Sequence, residues 1–134
     1  MNTITKAQEF AMEKHKGQKY GKIDPFWVHP AQTVDILKAT IYGHDENLLA
    51  AGWLHDTLED TETTYEELVK EFNVDVADLV NEVTATGWNV FPNLKTQRGI
   101  ILKFADRLAN ISNMSGWSQE SKRKYIFEKS KFWK

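Results

Sequence analysis

The segment from residue 48 to residue 61 constrains this chain more than any other. An apolar run, Leu48 to Leu54, is followed at once by a histidine and three carboxylates in the stretch His55-Asp56-Thr57-Leu58-Glu59-Asp60-Thr61. A run that is apolar all round is typical of a helix buried within the protein. Burying charged groups is unfavourable unless they are paired or bind a metal ion. The segment therefore predicts a buried helix that brings a polar cluster to one place.

Composition narrows the class of protein. The chain has 134 residues, which favours one domain covering residues 1–134. Its net charge of −2 gives no general reason to expect a nucleic-acid partner. It has no cysteine, which excludes disulfides, thiolate chemistry and zinc-finger sites and agrees with a reducing cytoplasm. Residues 1–6 do not resemble a signal peptide, and no apolar run approaches the roughly 20 residues that span a bilayer. We therefore expect a cytoplasmic protein with no membrane partner, and the sequence specifies no oligomeric state.

Helical periodicity dominates the chain. Apolar residues recur at spacings of three and four, and the two-residue alternation of a half-buried strand is nowhere convincing. The pattern predicts an all-α fold, a single helical bundle. The predicted helices run from Lys6 to Lys16, from His29 to a stop at Gly43, from Asp45 or Asn47 to about Leu58, from a cap at Thr63 or Thr64 to Phe72, from Asp75 through Val83, from Lys95 to Met114, and onward from Ser118.

Two further polar residues stand out beside His55 and Asp56. His29 lies at a predicted helix start, and Asp106 lies inside an apolar stretch. Considered alone, His29 is better explained as a helix cap, while for Asp106 a structural pairing with Arg107 or another basic residue is as good an explanation as a functional role. Together the two imidazoles and two carboxylates form a nitrogen and oxygen ligand set that suits a divalent first-row metal. Such a site leaves coordination positions at which water can be activated.

Glu59 and Asp60 are candidate proton-transfer groups. Glu59 follows His55 by four residues, so a continuous helix would place both on one face. A carboxylate there could pass a proton to or from a water molecule or a leaving group. The alternative is that Glu59 to Glu62 form only a solvated acidic helix end.

Candidate substrate contacts lie in the loop before His29 and on the helix of Asp106. Lys19 and Lys22 could neutralise substrate phosphates, although a solvated basic loop is the usual explanation. Tyr20 offers a surface for stacking, although aromatic residues of this kind more often belong to the core. Asn110 follows Asp106 by one helical turn and could contact substrate, the alternative being a surface amide.

The remaining histidines are His15 and His44. His15 precedes Gly17, so capping or bracing of the loop is expected for it. His44 lies in a predicted turn and is expected to be exposed. No histidine follows His55, which argues against bimetallic sites that need later histidines.

Four motifs together resemble one family. The ordered set of one histidine, a His-Asp pair and a later aspartate (His29, His55-Asp56 and Asp106) is similar to the signature of the HD-domain phosphohydrolases. The detailed match is to the hydrolase domain of the RelA/SpoT family, and Gly116-Trp117-Ser118 with Tyr125 resembles its small stand-alone members, the metazoan SpoT homologues. The matching motifs are His15-Lys16-Gly17-Gln18, Pro25-Phe26-Trp27-Val28-His29-Pro30, His55 to Thr61, and Lys103-Phe104-Ala105-Asp106-Arg107-Leu108-Ala109-Asn110.

The resemblance implies an all-helical, manganese-dependent hydrolase that holds one divalent ion. In the family, the reaction removes the 3′-pyrophosphate of the alarmones ppGpp and pppGpp, giving GDP or GTP and pyrophosphate. Carried over by position, the metal ligands are His29, His55, Asp56 and Asp106, the catalytic acidic pair is Glu59 and Asp60, and Asn110 lies near the nucleotide.

The chain departs from the family pattern in the expected substrate pocket. Tyr20 stands where the family has an arginine that packs against guanine, and Ile111-Ser112-Asn113 replaces Met-Arg-Thr. A tyrosine can still stack on a base but lacks the charge of an arginine. Two alternatives to alarmone hydrolysis follow: an HD-class phosphohydrolase acting on another 3′-phosphorylated cofactor or a nucleoside triphosphate, and a catalytically idle nucleotide-binding or antitoxin-like module.

Overall fold

Helices make up most of the residues that the computed structural model describes, which are 2–20, 24–85 and 91–112. A short antiparallel hairpin pairs Lys19–Tyr20 with Asp24–Pro25, Tyr20 facing Asp24. The all-α prediction is confirmed, and the hairpin is the exception to it because two-residue strands are too short to show alternation. In chain order the elements are α1 (Thr3–Lys14), β1 (Lys19–Tyr20), β2 (Asp24–Pro25), α2 (Val28–Lys38), α3 (Glu46–Leu54), α4 (Thr57–Asp60), α5 (Tyr65–Glu71), α6 (Val74–Val83) and α7 (Gln97–Ser112).

Helix α3 forms the centre of the core. Every residue from Leu48 to Leu54 is buried, and α1, α2, α6 and α7 all pack against this helix. The Asp45 side chain caps its first turn by accepting a hydrogen bond from the Leu48 amide at 3.0 Å. The prediction of a buried helix before His55 is thus confirmed, and its C-terminal end places His55 inside the bundle.

Gly52 allows α2 and α3 to lie unusually close. A Cβ atom at this position would lie 2.9 Å from Val34 Cγ2 and 3.0 Å from Leu37 Cδ1. Both are side chains of α2, the helix that carries His29. The missing methyl group therefore brings the His29 helix against the helix that ends at His55.

The third helix ends earlier than the sequence pattern predicts. It was expected to reach about Leu58, but α3 ends at Leu54 and α4 starts at Thr57. The Thr57 hydroxyl donates to the Leu54 carbonyl at 2.7 Å, and His55 Nδ1 donates to a carbonyl in the preceding turn at 2.7 Å. Side-chain donors that satisfy main-chain carbonyls in this way compete with the continuing helix.

The other predicted helices differ from the observed ones mainly at their ends. Helix α2 stops at Lys38, where the Thr40 hydroxyl donates to the Leu37 carbonyl at 2.7 Å, instead of continuing toward Gly43. Thr64 caps α5 as expected. The helix predicted from Ser118 lies outside the described residues. In the part of the chain that is described, no helix is long and apolar enough to cross a membrane.

Arg98 joins the N-terminal ends of three helices. Its guanidinium donates to Asp45 before α3 and to Asp75 at the start of α6, each at 2.9 Å. Glu82 of α6 accepts the main-chain N–H groups of Lys95 and Thr96 at 2.8 Å each, just before α7. These contacts hold α7, which carries Asp106, in register with the central helix.

Candidate metal centre and active site

Three buried side chains converge from three separate helices. His29 lies in the first turn of α2, His55 follows α3, and Asp106 lies in α7. His29 Nε2 is 3.1 Å from His55 Nε2 and 2.7 Å from Asp106 Oδ1, and His55 Nε2 is 3.4 Å from Asp106 Oδ1. Each residue offers one ligand atom, and these atoms lie within 4.8 Å of one another. The group has the composition and spacing of a site that could hold a metal ion.

A hydrogen bond on its far side orients the His55 ring. His55 Nδ1 donates to the Gly52 carbonyl at 2.7 Å, so in the neutral imidazole the lone pair lies on Nε2, which faces the cluster. A ligating histidine commonly donates its other ring nitrogen to a carbonyl in this way, which fixes both tautomer and orientation. The donor set therefore fits a divalent cation.

The charges of the cluster fit the same conclusion. Burial favours the neutral form of Asp106, but hydrogen bonds from His29 and His55 hold its pKa well below the ordinary range. Burial also lowers the pKa of His55, but the carboxylates of Asp56 and Asp106 raise it well above its ordinary value. The cluster thus stabilises positive charge among ionised carboxylates. A divalent cation can supply that charge in place of a proton, which is why metal binding and proton release are coupled in such sites.

The two oxygens of Asp106 have separate partners. Oδ1 faces the histidines, while Oδ2 lies 3.3 Å from Lys103 Nζ and 3.8 Å from Arg107 Nη1. The basic partner expected for a buried carboxylate is therefore present together with the ligand geometry. Lys103 was not singled out from the sequence, although its position three residues before Asp106 places it on the same helical face.

Asp56 lies beside the cluster of three. Its Oδ2 is 3.2 Å from His55 Nε2, and its side chain is largely buried. The residue is the N-cap of the short helix α4. All four sequence-predicted ligands are thus brought to one region, with Asp56 reaching it from the side of His55.

The acidic pair Glu59 and Asp60 lies on α4, at the protein surface next to Asp56. The expectation that Glu59 shares a continuous helical face with His55 is wrong, because the helix breaks between them. Glu59 Oε1 instead accepts the Ala85 main-chain N–H at 2.6 Å. Partial burial, with the neighbouring charges of Asp56 and Glu59, raises the pKa of Asp60 to about 6.

Tyr20 covers one side of the site. Its ring stacks on His29, with centroids 5.0 Å apart and an interplanar angle of 21°, and its hydroxyl donates to Asn110 Oδ1 at 2.7 Å. Lys19, its neighbour on β1, is exposed, and Lys22 lies outside the described residues. The structure therefore brings Tyr20 and Asn110 together at the metal cluster and leaves Lys19 on the surface nearby.

Fold and site together define a class: an all-helical domain in which a buried His-His-Asp group, with a second aspartate beside it, forms a candidate site for a divalent metal. Residues 7–88 match the HD domain family, and the chain belongs to that family. The matched segment runs from α1 to beyond α6, and Asp106 lies after it, on α7.

Several proteins of known type are similar to this chain. A guanosine-3′,5′-bis(diphosphate) 3′-pyrophosphohydrolase of Aquifex aeolicus is 36% identical over 93% of this chain, which spans only 20% of that protein. The MESH1 enzyme of Xenopus tropicalis, which bears the same activity in its name, is 33% identical over 92% of this chain and 78% of its own length. A solved structure described as a metazoan ortholog of SpoT that hydrolyzes ppGpp superposes with a TM-score of 0.79 at 27% identity, covering 98% of this chain and 84% of that one. The chain therefore spans about a fifth of the Aquifex relative but most of the short animal one.

Proposed function

We propose that this chain is a metal-dependent hydrolase that removes the 3′-pyrophosphate from ppGpp and pppGpp. The observation that supports this most is the convergence of His29, His55 and Asp106 within ligand distance. It occurs in a chain that aligns with most of MESH1, itself named for this activity, at 33% identity. Water is consumed in the reaction: its oxygen becomes bonded to phosphorus, the 3′ oxygen leaves with a proton, and GDP or GTP and pyrophosphate are released.

We assign His29, His55, Asp56 and Asp106 as the ligands of one divalent ion, and Mn²⁺ as that ion. When bound, such an ion polarises phosphoryl oxygens and lowers the pKa of water. The packing of α2, α3 and α7 positions His29, His55 and Asp106, and the Gly52 carbonyl orients the His55 ring. Lys103 keeps the second oxygen of Asp106 paired, so the carboxylate stays ionised beside the histidines.

We assign proton transfer to Glu59 and Asp60. The Ala85 N–H holds the Glu59 carboxylate in place through one oxygen. The pKa of Asp60, raised to about 6, lies near neutral pH, where a carboxyl group can both accept and give a proton efficiently. We expect one of the two to deprotonate water and the other to protonate the leaving 3′ oxygen.

We assign substrate binding to Lys19, Tyr20, Lys22 and Asn110. The exposed Lys19, with Lys22, would meet phosphate groups, while Tyr20 and Asn110 form the wall of the site nearest the His29 ligand. A second candidate function, hydrolysis of another 3′-phosphorylated nucleotide or a nucleoside triphosphate, is favoured by Tyr20. An aromatic ring stacks on any base, whereas the arginine of the family adds charge and directed donors.

The experiment that tests the proposal is a substrate panel with metal control. Chelator-treated protein is supplied with Mn²⁺, with Mg²⁺ or with no metal, and released pyrophosphate and phosphate are measured separately. The panel contains ppGpp, pppGpp, adenosine analogues with a 3′-pyrophosphate, 3′-phosphorylated cofactors and nucleoside triphosphates. We expect pyrophosphate from ppGpp in the presence of Mn²⁺.

Each other outcome identifies a different function. Phosphate from a 3′-phosphorylated cofactor or pyrophosphate from a triphosphate would assign the second candidate. Tight nucleotide binding without turnover would assign the idle-module alternative. Cytoplasmic location also remains a prediction, which cell fractionation would test.

A further inference from the structure

The first motif of the chain, His15-Lys16-Gly17-Gln18, has no part in the metal site described above. His15 is only 1% exposed and ends α1 as its C-cap. Gly17 takes a φ of 86°, a left-handed conformation that suits glycine. The Gln18 main-chain N–H donates to the His15 main-chain carbonyl at 2.9 Å. This tight turn brings the Gln18 side chain back to the His15 ring.

The side chains of His15 and Gln18 form a chain of hydrogen bonds that ends at Asp60. Gln18 Nε2 donates to the Asp60 main-chain carbonyl at 3.0 Å. Because only the amide nitrogen can donate to a carbonyl, the Gln18 oxygen must face His15, where it lies 2.9 Å from Nδ1. The proton of the neutral His15 ring is therefore on Nδ1, and the ring donates to Gln18.

The His15 ring is itself immobilised. It stacks on Phe26 with centroids 3.7 Å apart and an angle of 12°, and the Phe26 carbonyl accepts the His29 main-chain N–H at 3.3 Å. Burial lowers the pKa of His15, so the ring is neutral at neutral pH. Its Nε2 atom is buried and has no hydrogen-bond partner in the described structure.

That unpartnered atom distinguishes a hydrogen-bonding role from a packing role. An apolar ring would fill the space on Phe26 without burying an acceptor that nothing satisfies. What the imidazole adds is its Nδ1 donor, and this donor reaches Gln18. The Asp60 carbonyl, in turn, belongs to the last turn of α4, where helical carbonyls lack an intrahelical partner.

We propose that His15 and Gln18 are positioning residues that fix the acidic turn of α4, and so Asp60, relative to the metal cluster. The inference rests on the proposed function, because it assigns Asp60 a part in proton transfer. The α4 turn is then held at three points: Asp56 beside His55, Glu59 at Ala85, and the Asp60 carbonyl at Gln18. Displacement of a reacting group by about 1 Å is enough to lower turnover by roughly a hundredfold.

The test compares Gln18→Met and His15→Phe with His15→Asn, whose amide nitrogen can take the place of Nδ1. Gln8→Met, at an exposed position of α1, is the matched control. We expect kcat to fall at least tenfold in Gln18→Met and His15→Phe, with metal content unchanged and KM within twofold of wild type. His15→Asn should recover most of the activity. In an Asp60→Asn background, Gln18→Met should lower kcat by less than twofold further, because residues acting through one another are not additive.

A second readout is independent of turnover. The Asp60 and Thr61 amides donate to the Asp56 and Thr57 carbonyls at 3.0 and 3.1 Å, and their hydrogen exchange should accelerate in Gln18→Met and His15→Phe but not in Gln8→Met. Unchanged exchange in these variants would overturn the inference, whether or not the wild-type protein hydrolyses an alarmone. Absence of alarmone hydrolysis by the wild-type protein would instead overturn the proposed function. An equal loss of kcat from Gln18→Met in both backgrounds, or full activity in Asp60→Asn, would overturn the positioning role and leave alarmone hydrolysis standing.

Discussion

The Tyr20 hydroxyl donates a hydrogen bond to Asn110 Oδ1 at 2.7 Å, across 90 residues of sequence. The same tyrosine stacks on His29 at 5.0 Å, so one side chain of the hairpin contacts both a candidate metal ligand and the helix that carries another. The residue that departs from the family pattern is therefore at the site and is held in place there by two described contacts.

Base selectivity is expected to depend on Tyr20. Stacking of an aromatic ring on a base is worth about 1–3 kcal/mol and occurs with every base, so we expect a weaker preference for guanine over adenine 3′-pyrophosphates than relatives with arginine have. Tyr20→Ala should raise KM for both substrates, and Tyr20→Arg should shift the ratio of kcat/KM toward guanine. Steady-state kinetics on the two substrates measure this.

Tyr20→Phe is the matched control, because it retains the ring on His29 and removes only the donor to Asn110. If Tyr20→Ala lowered the melting temperature and left KM unaltered, the ring would serve only to pack the hairpin, and the account of selectivity would be dropped.

Metal content is expected to depend on Asp106. Replacing Asp106 by Ala or Asn removes the one anionic member of the buried group of three, and both should lose the bound ion and turnover. Asn is the better test, because it preserves volume beside Lys103. Elemental analysis of the purified protein gives the occupancy, and His44→Asn, at an exposed position, is the control. Wild-type occupancy in either Asp106 variant would show that the proposed coordination is wrong.

Glu59→Gln separates chemistry from binding. The amide oxygen can still accept the Ala85 N–H that Glu59 Oε1 accepts at 2.6 Å, but the side chain can no longer carry the proton. We expect kcat to fall roughly 10²-fold, as for a lost general acid or base, while the metal stays bound. An unchanged kcat would return Glu59 to the alternative of a solvated helix end, and Asp60→Asn would then identify the operative carboxylate.

The sequence predicts the residues of the candidate site better than it predicts their contacts. The buried run before His55 and the lone carboxylate in the apolar face of α7 are local patterns, and each led to a residue of the cluster. Apolar periodicity does not predict the helix break after Leu54, because the break depends on hydrogen bonds that Thr57 and His55 donate to main-chain carbonyls. The contacts of Tyr20 with Asn110 and of Gln18 with Asp60 depend on how distant segments meet, which no local pattern specifies.

Acid should remove a contribution of Arg98 to stability. Hydrogen bonds from Arg98 hold the pKa of Asp75 below its ordinary value of 3.8, although burial opposes this. A carboxyl pKa that is lower in the folded state stabilises the protein above the unfolded value, and the gain is lost as the pH falls through the folded one. For a pair this exposed we expect at most about 1 kcal/mol, hence a fall in melting temperature of about 2–5 °C for Arg98→Met at pH 7.

The difference between wild type and Arg98→Met should shrink below about pH 4 as Asp75 becomes protonated, leaving only what Arg98 contributes through Asp45 and through its own packing. Thermal unfolding followed by circular dichroism across this range is the measurement, with Lys38→Met, at an exposed position of α2, as the control. A constant difference at every pH would mean that Asp75 is not the partner through which Arg98 stabilises the fold.

Because of Gly52, substitutions in the core are expected to affect the candidate metal ligands. A methyl group at this position would press on Val34 and Leu37 and so displace the helix of His29. The Gly52 carbonyl is also the acceptor that orients the His55 ring. One added carbon would thus disturb two imidazoles at once. Substitutions that enlarge Val34 or Leu37 should displace the same helix from the other side. Stabilising substitutions at these buried positions, chosen without measuring metal content, would therefore weaken metal binding.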